Sequence, residues 1–237
     1  MIYNNIRVGT FVERPNRFIA KVIVEGKLET CHVKNTGRCK ELLVPGATVY
    51  VQESDNPSRK TKFSVIGVRK GSRMINMDSQ APNQVVYEWL STGGLFQDIL
   101  LIKREQTYRD SRFDLYVETT NKKIYIEVKG VTLEEAGVVR FPDAPTERGI
   151  KHVHELCHAV EEGYEAYLIF VIQMKDVAYF EPNDATHPEF GEALRKAVKQ
   201  GVHIIAMDCF VDKDKLEIQD RVMVRLTNDT DFISDGI

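Results

Sequence analysis

Residues 112–130 read RFDLYVETTNKKIYIEVKG, and this stretch predicts two neighbouring antiparallel β-strands. Apolar and polar residues alternate with period two on both sides of a polar segment, as in strands with one buried face. A tight turn centred on Thr120 and Asn121 would join the strands. Three apolar pairs then face each other: Val117 with Ile124, Leu115 with Ile126, and Phe113 with Val128. A slip of one residue would break this apolar face, so the pattern determines the register.

The same register brings charged side chains together on the other face of the two strands. Asp114 lies opposite Glu127, and Arg112 lies opposite Lys129. Two carboxylates that face each other in a sheet repel, and burial would raise the pKa of one of them. A divalent cation between them removes the conflict, and hard oxygen ligands suit Mg²⁺ or Mn²⁺. We therefore expect Asp114 and Glu127 to bind metal.

Two further residues fit the same chemistry. A two-residue turn at Arg109 and Asp110 would place Glu105 opposite Asp114 as a third candidate metal ligand. Metal ions held by carboxylates can activate water, polarise a phosphoryl oxygen and stabilise a leaving group. Lys129 beside the metal could steady the water or the charge developing at phosphorus. The cluster thus favours phosphodiester hydrolysis; the alternative is a solvated outer face on which these residues form a ladder of ion pairs.

Outside this stretch, the chain predicts two structural units. The first, residues 1–80, suits a small β-barrel of the OB type, because five or six short strands fit in fewer than 80 residues. Beyond Ala81-Pro82, helices mix with strands, which favours an α/β or α+β unit over 81–237. Strands are expected at 7–13, 17–24, 27–34, 48–52, 63–69 and 73–77, then at 99–107, 112–117, 123–129, 167–172 and 202–207. Helices are expected at 83–90, 146–162 and 189–199.

The charge distribution separates the two units, although the net charge of the 237 residues is only −3. Residues 1–80 contain 14 Lys and Arg against 7 Asp and Glu, whereas the remainder contains 18 against 28. A basic barrel can attract phosphates, or its lysines can merely keep a small domain soluble. The candidate nucleic-acid contacts are Arg38, Lys40, Arg59, Lys60, Lys62 and Arg112, with Phe11 and Phe18 as stacking or core residues.

Composition bounds the cellular setting. No apolar run approaches the roughly 20 residues that a membrane span needs, and the first residues contain no basic region followed by an apolar stretch. Cys31, Cys39, Cys157 and Cys209 show no CxxC pair, so reduced thiols are expected. We therefore expect a cytoplasmic protein without a membrane partner.

Four motifs occur in order along nearly the whole chain. They are HVKNTGR at 32–38, SRFD at 111–114, EVK at 127–129, and FPDA at 141–144 followed by Thr146, Arg148, Gly149, Lys151 and His152. Together they resemble the sugar fermentation stimulation protein A family. An aspartate on one strand with Glu-x-Lys on the next also resembles the PD-(D/E)xK nuclease superfamily, whose motif positions fall on Asp114, Glu127 and Lys129.

The resemblance implies an N-terminal OB-fold and a C-terminal, restriction-endonuclease-like mixed sheet flanked by helices. It also implies nucleic-acid binding, with DNA favoured over RNA, nuclease activity, and a regulatory role in sugar (maltose) metabolism. A DNA-binding transcriptional regulator that does not cleave is the alternative.

The helix predicted at 146–162 carries a motif that points elsewhere. His154, Glu155 and His158 match HExxH, a zinc metalloprotease signature in which two histidines one turn apart bind the metal. That signature needs a third ligand on a later helix, whereas a buried strand follows here, so a zinc protease is the weaker alternative. On the nuclease hypothesis, Arg148 could hold the scissile phosphate. His152 could be a proton donor, a phosphate contact or a surface histidine.

Overall fold

The computed structural model describes residues 1–35 and 37–226, which form fifteen strands and three helices. Thr36, which belongs to the HVKNTGR motif, lies outside the described residues, as do residues 227–237. Within the described ranges, no helix is long and apolar enough to cross a membrane. The four cysteines are free and buried, as expected.

The first unit is a closed five-stranded barrel of the OB type, as the sequence predicts. All the expected strands are present: β1 (Ile6–Asn16), β2 (Ile19–Val24), β3 (Lys27–Val33), β4 (Thr48–Glu53), β5 (Phe63–Lys70) and β6 (Arg73–Asn76). The strand order is β3-β2-β1-β4-β5-β6. Pairing of β3 with β5 closes the first five strands into the barrel, and β6 pairs with β5 as a sixth strand. Phe11 is 2% exposed inside the barrel, so its interpretation as a core residue is confirmed.

The second unit is a mixed sheet with helices on both faces. Its helices are α1 (Ala81–Ser91), α2 (Glu147–Glu161) and α3 (Pro188–Lys199). Its strands are β7 (Ile99–Tyr108), β8 (Ser111–Thr119), β9 (Lys123–Val131), β10 (Leu133–Glu135), β11 (Val138–Phe141), β12 (Glu165–Ile172), β13 (Tyr179–Pro182), β14 (His203–Val211) and β15 (Leu216–Val224). The sheet order is β10-β11-β13-β15-β14-β12-β9-β8-β7, with β12 parallel to both β9 and β14.

The sequence did not predict β10, β11, β13 or β15. Three of these strands have only three or four residues, which is too short for a period-two pattern to stand out. β15 carries a run of three exposed residues at its centre, so its apolar alternation is interrupted.

The predicted register of β8 and β9 is confirmed for two of its three apolar pairs. Leu115 pairs with Ile126 and Val117 pairs with Ile124, but the predicted pairing of Phe113 with Val128 is wrong. Asp114 Oδ2 accepts a hydrogen bond from the backbone N–H of Val128 at 2.8 Å. The carboxylate therefore takes a bond that a ladder carbonyl would otherwise take, and the ladder ends at Leu115.

Phe113 consequently lies on the other side of the sheet. Its ring packs against Tyr125, at a centroid distance of 5.2 Å, and against Tyr108, at 5.5 Å. α2 covers this side of the sheet, whereas α1 covers the side that carries Leu115 and Ile126. Asp114 therefore lies at an irregular point of β8, between Phe113 on the α2 side of the sheet and Leu115 on the α1 side.

A buried ion pair joins the barrel to the sheet. Glu134 of β10 is 5% exposed and lies 2.8 Å from both Lys70 Nζ and Arg73 Nη1 of the barrel. Burial alone would raise the pKa of Glu134, but hydrogen bonds from Lys70, Gly137 and Arg73 lower it to about 2. The carboxylate is therefore charged at neutral pH and holds the two units together.

We expect Glu134→Gln to lower the free energy of unfolding by about 3 kcal/mol at neutral pH, because the two barrel cations lose a buried partner. A pKa that is depressed in the folded state stabilises the protein above the unfolded pKa. The advantage of the wild type should therefore shrink as the pH falls from 4.5, the ordinary value, towards about 2. Urea titrations at several pH values measure this difference.

Glu135→Gln is the matched control, because Glu135 is the next residue and its side chain is 84% exposed. Equal stabilities of the two variants at neutral pH would contradict the assignment of Glu134 as the buried carboxylate that joins the two units.

Candidate metal and phosphodiester site

Glu127 is the most buried carboxylate of the predicted cluster. It lies on β9, is 2% exposed and points towards α2. Lys129 Nζ donates to its Oε1 at 2.5 Å, and Nδ1 of His152 contacts the same oxygen. Because Nε2 of His152 accepts a hydrogen bond from Arg148 Nε at 3.3 Å, we assign the ring proton to Nδ1, which donates to Glu127.

The second oxygen of Glu127 is left without a partner. Oε2 is buried and accepts no hydrogen bond from the described residues. Burial would raise the pKa of Glu127, but the hydrogen bond from His152 and the positive charge of Lys129 lower it. Glu127 is therefore ionised, with one oxygen saturated and the other bare. A buried, bare carboxylate oxygen is costly unless a cation or a donor occupies the space beside it.

Asp114 lies next to this group, at the irregular end of the β8 ladder. Its Oδ1 accepts a hydrogen bond from Asn83 Nδ2 at 2.6 Å, and its Oδ2 accepts from Val128 N. Burial, and then the negative charge of Glu127, raise the pKa of Asp114 to about 6. The negative charge of Glu127 therefore disfavours the ionised form of Asp114. The burial of Glu127 rules out a solvated outer face at this position.

The donor set suits a hard divalent cation. Asp114 and Glu127 offer carboxylate oxygens at a largely buried position. A cation there would give Oε2 a partner and reduce the repulsion between the two negative charges. Nowhere in 1–35 and 37–226 do three His, Cys, Asp or Glu side chains converge closely enough to hold a metal by themselves. A cation here would therefore need oxygens from water or from a substrate phosphate, which is common for Mg²⁺.

Glu105 is not brought into this group, although the predicted hairpin forms. β7 ends at Tyr108 and β8 begins at Ser111, so the turn at 109–110 is as expected. Glu105 lies opposite Asp114 along the strands, but its backbone has a φ of +56°. Its side chain is 63% exposed and pairs with Arg112 at 3.3 Å. In this conformation Glu105 faces solvent rather than Glu127.

On α2, the structure separates the two hypotheses for the helix. His152 is 6% exposed, so its interpretation as a surface histidine is wrong. His154 is exposed, and the 46%-exposed His158 pairs with Glu161 at 3.1 Å. The HExxH histidines thus face solvent, whereas His152 faces Glu127.

The predicted nucleic-acid contacts lie mostly on two barrel loops. Arg38 and Lys40 are exposed between β3 and β4, and Arg59, Lys60 and Lys62 are exposed between β4 and β5. Two of them already have partners. Arg59 Nη2 donates to Ser64 Oγ at 3.0 Å, and Lys62 Nζ lies 2.9 Å from Glu53.

Sequence reasoning missed Asn83. The sequence pattern places Asn83 at the start of the helix predicted at 83–90, and α1 does contain it. Its contact with Asp114 depends on how α1 lies across the sheet, which a local pattern does not contain. The sequence did offer one signal for this contact, which is a polar residue in the first turn of a helix that packs against a sheet.

We expect a ¹³C NMR titration of the metal-free protein to give a midpoint of about 6 for the Asp114 carboxyl. Glu127→Gln removes the neighbouring negative charge, so the midpoint should fall towards the ordinary aspartate value. Glu105→Gln is the control and should leave it unchanged. An Asp114 midpoint that does not respond to Glu127→Gln would show that the carboxylates do not share a site.

Comparisons with known proteins agree with the two-unit architecture. The model of the "SfsA N-terminal OB domain" matches residues 12–77, and that of the "Sugar fermentation stimulation protein RE domain" matches residues 80–215. Sugar fermentation stimulation protein homologues from Clostridium beijerinckii and Ruminiclostridium cellulolyticum are 63% and 61% identical, each over 95% of this chain and 100% of the relative.

A solved structure described as Pyrococcus furiosus SfsA in complex with Ca²⁺ superposes with a TM-score of 0.87. It is 25% identical in sequence, and the match covers 95% of this chain and 98% of that one. Both family models and full-length relatives thus match in order along the chain. The chain therefore belongs to the sugar fermentation stimulation protein family.

Proposed function

We propose that this protein is a divalent-metal-dependent phosphodiesterase that cleaves nucleic acid, with DNA as the favoured substrate. The observation that carries the proposal is the pair Asp114 and Glu127, in which a buried carboxylate keeps one oxygen bare beside a second carboxylate of raised pKa. The basic barrel and the family's solved relative with Ca²⁺ support it, since Ca²⁺ and Mg²⁺ share a preference for oxygen ligands.

In this proposal each side chain has a separate task. Bound Mg²⁺ or Mn²⁺ would supply Lewis acidity and a more acidic water. His152 and Lys129 hold Glu127 ionised and fixed in one orientation. Asn83 orients Asp114 through Oδ1.

Two cations of the site can contact a bound substrate. Lys129 is 15% exposed and can place its positive charge beside a phosphoryl oxygen. Arg148 is exposed on α2 and uses Nε to hold His152, which leaves its other nitrogens for a phosphate. The sugar fermentation in the family name is compatible with an action on DNA, but the residues argue for the chemistry rather than for the pathway.

We expect Lys129→Ala to reduce cleavage of a labelled DNA or RNA strand in Mg²⁺ or Mn²⁺ by on the order of 100-fold or more, because the charge at the reacting phosphate is lost. Asp114→Asn and Glu127→Gln should abolish cleavage and weaken metal binding by calorimetry.

Lys123→Ala is the matched control, since Lys123 is an exposed lysine on the same strand, and it should cleave like the wild type. Cleavage that survives Lys129→Ala would contradict the site assignment. Tight DNA binding with no cleavage in any divalent metal would favour a DNA-binding regulator instead.

The barrel is expected to contribute binding rather than chemistry. Reversing the charges of Arg59, Lys60 and Lys62 should weaken nucleic-acid binding and reduce its dependence on salt, because fewer counterions are released. Single-turnover cleavage at saturating protein should change little. The control is reversal of three exposed lysines in the second unit, Lys123, Lys199 and Lys213. Equal losses in both triple variants would show that the barrel loop has no special role.

A further inference from the structure

Phe18 is an exposed aromatic ring on an otherwise closed barrel. The other aromatic residues of 1–80, all within the described ranges, are Tyr3, Phe11, Tyr50 and Phe63, and each is buried. Phe18 is 44% exposed and lies in the turn between β1 and β2. The guanidinium carbon of Arg17 lies over its ring, 4.8 Å from the centroid. An aromatic ring and an arginine presented together to solvent form a surface on which a planar base can stack.

The backbone that carries this ring is held firmly. Phe18 N donates to Asn16 Oδ1 at 2.9 Å, and its carbonyl accepts from Val33 N at 2.8 Å. The ring is therefore fixed at the rim of the barrel, so a ligand need not order the turn that carries it.

Arg14 ties this turn to the basic loop after β3. Its Nη2 donates to the carbonyls of Arg17 and Asn35, at 2.7 and 2.8 Å. Its Nη1 donates to the carbonyls of Gly37 and Arg38, at 3.0 and 2.7 Å. The backbone of Arg38 is therefore held beside the turn that carries Phe18, and exposed Lys40 follows two residues later.

The same loop is fastened to the second unit near the proposed site. The backbone N–H of Arg38 donates to Asp143 Oδ2 at 2.8 Å, in the segment that leads into α2. Lys34, beside the partner of Phe18, pairs with buried Asp78 at 2.7 Å. Lys34 and Asn83 line one cleft of about 610 Å³ between the barrel and the sheet. Asn83, which donates to Asp114, therefore lines the same cleft as Lys34, the residue next to Val33 that bonds the backbone of Phe18.

We propose that Phe18 and Arg17 form a stacking site for an unpaired base, so that this protein takes single-stranded nucleic acid across the barrel rim. The backbone phosphates of the strand lie against Arg38 and Lys40, whose side chains are exposed. In a duplex, bases stack on one another and cannot offer a face to Phe18, so the site distinguishes single from double strands. This inference rests on the proposed nucleic-acid function and names its substrate class.

Binding in chelator tests the inference without depending on cleavage. Fluorescence anisotropy is measured with labelled oligo(dT) and with a duplex of the same length, for wild type, Phe18→Ala, Phe18→Tyr and Phe210→Ala. Phe210 is the matched control, because it is also 44% exposed and also lies under a cation, Lys215 Nζ, at 5.6 Å.

We expect Phe18→Ala to weaken single-strand binding by on the order of tenfold while duplex binding stays the same. Phe18→Tyr should retain the affinity, and Phe210→Ala should match the wild type. Equal single-strand affinity in Phe18→Ala, an equal loss for strand and duplex, or a wild type that binds no single strand would each overturn the inference. Duplex cleavage with no single-strand binding would contradict this inference but not the proposed nuclease function. Single-strand binding that depends on Phe18, without cleavage in any divalent metal, would contradict the nuclease function but not this inference.

Discussion

The site depends on the ionised state of a buried glutamate. Moving a carboxylate out of water costs several kcal/mol unless neighbouring groups compensate. In Glu127, Lys129 and His152 compensate through Oε1, and Oε2 accepts no hydrogen bond from residues 1–35 or 37–226. The two oxygens of Glu127 therefore differ, because the bonds to Oε1 fix the orientation of the carboxylate and Oε2 carries the unpartnered negative charge that the proposed cation would neutralise.

This arrangement requires that α2 stay in place against β9, because His152 comes from α2. The helix begins at an N-cap, where Thr146 accepts a hydrogen bond from Gly149 N at 3.0 Å. Val153 and Leu156 are fully buried beneath it. On the other side of the sheet, α1 is fixed by the short segment after β6, where buried Asp78 binds Lys34 of the barrel. The segment that joins the two units thus also sets the position of Asn83 and, through it, of Asp114.

Much of this architecture follows from local pattern. The barrel strands, the three helices and the pairing of Leu115 with Ile126 were predicted because each depends on neighbouring residues alone. Phe113 was misplaced because the side chain of Asp114, rather than a backbone carbonyl, bonds Val128. Asn83 was missed as a partner of Asp114, and His152, although a candidate site residue, was not expected to bond Glu127, for a related reason. Asn83 and His152 reach the two carboxylates from separate helices, and no spacing rule encodes how a helix lies across a sheet. Glu105 shows the converse, because correct strand register did not turn its exposed side chain towards the cluster.

The most direct test is a crystal structure of the protein soaked in Mn²⁺, with anomalous data collected near the manganese absorption edge. The account predicts an anomalous peak bound by Glu127 Oε2 and the Asp114 carboxylate, with Lys129 and His152 still on Oε1. Manganese bound elsewhere, for instance at His154 and His158, or no peak at a saturating concentration, would contradict it.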